Sequence, residues 1–146
     1  MDSSPVFIDK SIVLRHVPLF SGLNFFEKKI VLESVEIQEF KKGQIIYRQG
    51  DPPDAFYAIL SGRVEIFVTD QSREESLECL YRGKYFGFIS LLTGESHSVS
   101  ARALNDTLIA RIPHDHFNAI LKSIPRLAID LSRMLSRRLK RKDLHP

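Results

Sequence analysis

The sequence predicts a mainly β domain with flanking helices, its strands closed into a sandwich or barrel. Three observations point there. Short apolar runs recur at roughly 8–12-residue spacing between Val35 and Ile112, separated by turn signals. Six of the seven glycines fall between Gly43 and Gly94, inside that stretch, and glycine marks places where a backbone turns sharply or approaches something closely. The longer helical signals stand outside it, before Val35 and after Pro113. At 146 residues the chain has the length of a single domain.

The first helix is announced by Asn24 with Glu27 three residues later, a capping-box pattern that opens about ten helical residues through Phe25, Phe26, Ile30, Val31 and Leu32. Gln38 to Lys42 and Gln44 to Gln49 read as the first strands, ended by Gly43 and Gly50. Ala55 to Leu60 is wholly apolar, Ser61-Gly62 is a tight turn, and Arg63 to Val68 alternates strictly. Thr69 to Glu75 reads as a hairpin tip, after which Leu77, Cys79 and Tyr81 alternate again, with Cys79 read as a small buried apolar residue. A last strand pair is expected over Ser96 to Ala103 and Thr107 to Ile112, joined by Leu104-Asn105-Asp106. One helix follows over His114 to Lys122. Pro125, favoured in a first helical turn, opens another to about Lys142. Its apolar stripe runs through Leu127 (or Ala128), Leu131 and Met134 (or Leu135), with Leu139 a weaker fit.

Composition and charge exclude several classes. No apolar run approaches the roughly 18–20 residues of a membrane span, and Met1 to Pro5 has no basic lead into an apolar stretch. One cysteine allows no internal disulfide and no multi-cysteine metal site, so the expected location is the cytoplasm. The net charge of +3 is uneven: residues 126–142 carry +6 and the remainder −3. The basic character therefore belongs to the tail, which completes the final helix at the end its dipole favours for cations. No nucleophile–base pair, metal spacing or P-loop is visible, so neither enzyme activity nor a metal or cofactor is expected. His114 and His116 flank Asp115 at a spacing that shares no helical face, which fits capping and not a metal.

The glycines sit in an ordered series: Lys42-Gly43, Arg48-Gln49-Gly50-Asp51, Leu60-Ser61-Gly62, Arg82-Gly83, Tyr85-Phe86-Gly87 and Leu92-Thr93-Gly94-Glu95. Val17-Pro18-Leu19-Phe20-Ser21-Gly22-Leu23 precedes them and Ser98 to Ala103 follows. This series resembles the cyclic nucleotide-binding domain family of Crp/Fnr-type regulators, kinase regulatory subunits and gated channels, over a core of about 13–140. The resemblance implies an eight-stranded double-stranded β-helix (jelly-roll) with a C-terminal lid helix, read here at Leu131, Ser132, Leu135 and Ser136. It implies a phosphate-binding cassette over 86–101, with Phe86, Gly87, Phe88, Ile89, Ser90, Leu91, His97, Ser98 and Val99 as ligand-binding positions. The implied ligand is a cyclic nucleotide: cAMP, cGMP or a cyclic dinucleotide. The implied role is that of a bacterial-type sensor, 1–146, acting within a longer regulatory protein through an output domain or partner on its last helix.

Two positions depart from the family pattern. Phe88 stands where a carboxylate would hold the ribose hydroxyl, and His97 where an arginine would hold the phosphate. A lost charge-assisted hydrogen bond is worth roughly 1.5–3 kcal/mol. An imidazole of ordinary pKa ~6.5 is mostly neutral at neutral pH and is no bidentate partner. Tight binding of cAMP or cGMP in the usual pose is therefore not expected. His97 is read either as a phosphate donor that strengthens in acid or as a polar residue of a relic pocket. Phe88 either stacks on a purine or, the favoured reading, fills the ligand's space. In that case Phe88→Glu with His97→Arg should create nucleotide binding. Arg102, five residues past His97, should face away from the pocket, and Glu95 should be a solvated loop acid. The alternatives to a sensor are the effector and dimerisation half of a Crp/Fnr-type transcription regulator, without DNA contact by this chain, and a ligand-free interaction domain.

Overall fold

A computed structural model describes residues 4–5 and 8–144, with side chains described from Ile8 to Lys140. The side chains of Arg141 and Lys142, which belong to the basic run, and residues Met1 to Ser3 lie outside that description. The order is β1 (Ser4–Pro5), α1 (Ile12–His16), a 3-10 turn (Pro18–Phe20), α2 (Phe25–Ser34), β2 (Glu36–Phe40), β3 (Ile45–Tyr47), β4 (Ala55–Ser61) and β5 (Arg63–Asp70). Then come β6 (Arg73–Tyr81), β7 (Tyr85–Phe86), α3 (Phe88–Thr93), β8 (Ser100–Ala103), β9 (Thr107–Pro113), α4 (His114–Ser123) and α5 (Pro125–Leu144). Among the described residues no helix is long and apolar enough to cross a membrane.

Two antiparallel sheets face one another, ordered β1-β2-β9-β4-β7 and β3-β8-β5-β6. The apolar run in β4 is explained by burial on both its faces. Ala55, Tyr57 and Ile59 point between the sheets, whereas Phe56, Ala58 and Leu60 point to a second core under the helices. Strand β9 splits likewise, with Ile109 between the sheets and Ala110 and Ile112 toward the helices. A strand covered on both sides loses the polar half of its alternation.

Local signals are realised as written. Asn24 Oδ1 accepts from Glu27 N–H at 2.9 Å and Glu27 Oε1 accepts from Asn24 N–H at 2.9 Å, a complete capping box. Gln71 and Ser72 at the β5–β6 tip both have positive φ, 52° and 68°, the turn whose twist suits a two-residue hairpin.

Three expectations change. Ser96 to Val99 is not strand, and β8 and β9 belong to different sheets, so Leu104-Asn105-Asp106 is a crossover and not a hairpin turn. Its side chains bind other connections: Asn105 Oδ1 accepts from Arg63 N–H (2.9 Å) and Asp106 Oδ1 from Lys42 N–H (3.0 Å). Cys79 is exposed. It lies on β6, the last strand of its sheet order, where Leu77, Cys79 and Tyr81 form the outer face and Leu80 the inner. The hairpin tip is only Gln71 and Ser72 and not Thr69 to Glu75, because Val68 pairs with Glu75, Thr69 with Glu74 and Asp70 with Arg73.

Candidate ligand-binding cassette

The cassette starts where β7 leaves its sheet. Phe86 stacks on Tyr57 between the sheets (5.2 Å, 11°). Gly87 then takes φ +83°, and a Cβ there would stand 3.0 Å from Tyr57 Cδ2 and 3.1 Å from the Ala55 carbonyl. Only glycine fits both the left-handed turn and that approach. Helix α3 follows at once and stops at Gly94, whose N–H donates to the Ser90 carbonyl at 2.8 Å.

The faces of α3 divide its residues. Ile89 and Leu92 are outside. Phe88 and Leu91, one turn apart, enter the core under the helices with Leu127 and Leu131 of α5. Phe88 is 2% exposed and contacts the Tyr85 ring at 5.4 Å. It therefore neither fills the space between the sheets nor lies there to stack on a base. The turn at Gly87 aims the next side chain at the helices, which a reading by position alone does not capture.

Ser90, on a third face of α3, meets His97. The His97 ring is 4% exposed and lies flat on Tyr47, with centroids 3.7 Å apart at 10°. Its Nδ1 is 3.2 Å from Ser90 Oγ and its Nε2 is 2.9 Å from Asp54 Oδ1. Ser90 Oγ–H also donates to the Gly87 carbonyl at 3.1 Å. The backbone adds two bonds: His97 N–H donates to the Asp51 carbonyl and Gly50 N–H to the His97 carbonyl, each 2.8 Å. Residue 97 thus joins the cassette loop to the connection before β4.

Asp54 gathers the rest. Tyr57 O–H donates to Asp54 Oδ2, and Arg111, which also pairs with Glu36 at 3.1 Å, lies 4.0 Å from the same oxygen. Burial works to raise the Asp54 pKa. Hydrogen bonds from His97 and Tyr57, with the charges of His97 and Arg111, outweigh it and hold Asp54 below the usual carboxylate value. Burial pushes the Tyr47 and Tyr57 phenols far up, so both stay neutral. A cavity of about 250 Å³ adjoins this network, lined by Gln38, Phe40, Gln44, Tyr57 and Arg111 among others.

The structure brings Phe86, Gly87, Ser90 and His97 together and adds Tyr47, Asp54, Tyr57 and Arg111, which the sequence reading did not single out. The signal for Asp54 was an acid at the mouth of a wholly apolar strand. Val99 packs on the core between the sheets, whereas Ser98 and Glu95 are exposed. On α5, Leu131 is buried and Leu135 half-buried, but Ser132 and Ser136 face outward. Arg102 faces away, bonded to Glu65 (2.6 Å) and Glu74 (2.9 Å) over the Phe67 ring. Ser90, His97 and Asp54 form a serine–histidine–aspartate chain, but with the imidazole reversed from a hydrolase triad: Nδ1 faces the serine and Nε2 the aspartate. The serine oxygen is also enclosed, so no substrate carbonyl can reach it.

A two-sheet β domain with a glycine-opened short helix beneath a C-terminal helix defines a class of regulatory ligand-binding modules, and the comparisons place the chain within it. Residues 37–124 match the cyclic nucleotide-binding domain model. The chain is 34% identical to the cyclic AMP receptor protein of Thermus thermophilus over 132 residues, 90% of this chain and 61% of that protein. It is 32% identical to the cAMP-dependent protein kinase regulatory subunit of Emericella nidulans over 114 residues, 78% of this chain and 27% of that subunit. The crystal structure of the Thermus thermophilus catabolite activator protein superposes with a TM-score of 0.78 at 34% identity, covering 87% of this chain and 60% of that one. The chain belongs to the cyclic nucleotide-binding domain family, as a regulatory domain related both to kinase regulatory subunits and to Crp/Fnr-type regulators. It spans 27% and 61% of the two relatives' own lengths.

Proposed function

We propose that this chain is the sensor part of a longer regulatory protein, one that binds and does not catalyse. Ligand occupancy of the cassette at 86–99 passes to α5, and from α5 to an output domain or protein partner. The observation that carries this reading is the shared packing of Phe88 and Leu91 with Leu127 and Leu131. Protein interiors are dense and switch between discrete packings instead of deforming smoothly, so a displaced α3 displaces α5. The ligand must favour one arrangement over the other. The test is thermal unfolding against cyclic mononucleotides, cyclic dinucleotides and the parent nucleosides. A ligand at about 100 times its Kd stabilises by about 2.7 kcal/mol, which raises Tm by several degrees. A flat response across the panel removes the sensor reading and leaves an interaction domain.

A second reading, the dimerising half of a transcription regulator, has its own observation. Ile129, Ser132, Ser136 and Leu139 are all exposed on α5 and recur at the three–four spacing of a coiled-coil seam. The two serines allow close approach of a second helix. Light scattering should then give a dimer mass that Ile129→Lys with Leu139→Lys reduces to a monomer. A monomer at every concentration eliminates this reading.

A further inference from the structure

The outer face of the second sheet holds a cleft that the cassette does not use. On β8, Ala101 points between the sheets, so its neighbours Ser100 and Arg102 point to the opposite, outer face. The connection from β3 to β4 folds over this outer face. Gln49 N–H donates to Ser100 Oγ at 2.8 Å, and Thr69 N–H donates to Gln49 Oε1 at 3.1 Å. The cavity beside these bonds, about 480 Å³, is lined by Arg48, Gln49, Gly50, Thr69 and Ser100.

We propose that this cleft is a second ligand site, distinct from the cassette, and that it takes the phosphate group of a small, polar phosphate monoester. Its lining is rich in donors and contains no carboxylate. Gln49 spends its amide oxygen on the Thr69 N–H, which leaves its NH2 group as a donor. Ser100, 5% exposed, accepts from Gln49 through an oxygen that still bears a proton of its own. Thr69 adds a second hydroxyl. Among the described residues no carboxylate pairs with the Arg48 guanidinium. The acids around it are engaged elsewhere. Asp51 Oδ2 accepts the Arg48 backbone N–H at 2.9 Å, Asp70 faces Arg73 across the hairpin, and Glu65 and Glu74 hold Arg102. A guanidinium fork beside amide and hydroxyl donors matches the several oxygens of a phosphate. The volume lies within the roughly 300–1,000 Å³ of small-molecule sites, more than a bare ion fills. With no aromatic or aliphatic side chain in the lining, the rest of the ligand is hydrophilic, as a sugar is.

This site does not rest on the sensor reading, and its test is separate. Amide NMR of the whole chain, at constant ionic strength, follows titration with glucose 6-phosphate, inorganic phosphate and glucose. Glucose 6-phosphate should give saturable shifts at Gln49, Gly50, Thr69 and Ser100, phosphate weaker binding at the same residues, and glucose none. Arg48→Gln should weaken binding about tenfold or more, because the charge-assisted contact goes with the guanidinium. Gln49→Glu keeps an oxygen for the Thr69 N–H but sets a negative charge in the lining, and should weaken binding comparably. Both side chains are exposed, so neither change removes a core contact. Shifts that do not saturate, or that survive both substitutions, overturn the proposal. A tighter response to a phosphoserine peptide than to glucose 6-phosphate would give the cleft to a protein partner and overturn the small-molecule assignment. If the cyclic nucleotide panel is flat while these shifts saturate, the sensor reading has failed and the outer site stands.

Discussion

Phe88→Ala is expected to destabilise the domain by about 3–5 kcal/mol, the range for removing a buried phenylalanine. The side chain is almost fully enclosed, within contact of Tyr85 and inside the large core under the helices that also holds Leu91, Leu127 and Leu131. Truncation leaves a void in the core under the helices, and packed neighbours close such voids only in part. Urea unfolding measures the loss. Hydrogen exchange along α5 should quicken in the same variant, because part of the surface that holds the helix is gone. A loss below about 1 kcal/mol, with α5 unaltered, would mean that Phe88 does not join the two elements. The same packing reverses an expectation from sequence. Phe88→Glu would restore the carboxylate of the family pattern, but here it would place a charge in an apolar cluster, where an unpaired ion is strongly disfavoured. Combined with His97→Arg it should therefore unfold the domain sooner than create a nucleotide site.

What the sequence made legible was whatever adjacent residues decide. The Asn24–Glu27 capping box, the left-handed glycines and Pro125 at the start of α5 each act within one turn of chain, and each is where the spacing predicts. The family resemblance belongs with them, since it rests on the order of such turns. What stayed hidden depends on which strands become neighbours. Cys79 alternates with Leu77 and Tyr81 as an inward set would, and only the register of β6, which pairs Leu80 with the buried Val64, turns that set outward. Strands β8 and β9 are separated by three residues and yet lie in opposite sheets, because the chain crosses over instead of folding back. Asp54 and His97 are 43 residues apart, and no local pattern links an acid before one strand to a histidine before another. The cassette positions were visible, whereas the contact between Asp54 and His97 was not.

Asp54→Ala gives the second large effect, and its pH dependence shows whether the carboxylate is the cause. Removing the acceptor strands two donors, His97 Nε2–H and Tyr57 O–H. A buried donor left without its acceptor costs about 1–3 kcal/mol. Asp54 keeps 35% of its side chain exposed, so water screens part of the interaction and about 2 kcal/mol is expected at neutral pH. The Asp54 pKa is lowered in the folded protein from 3.8. A depressed folded pKa gives stability that is present above the unfolded value and lost as pH falls through the folded one. The gap between the native chain and Asp54→Ala should therefore hold steady from neutral pH down to about 4 and close below it. Asp54→Asn keeps an oxygen for the His97 N–H but no charge, so it should fall between the two and change less with pH. Urea unfolding of the three proteins across that range is the measurement. If the gap widens on acidification, the ionised Asp54 carboxylate is not the acceptor that His97 and Tyr57 rely on.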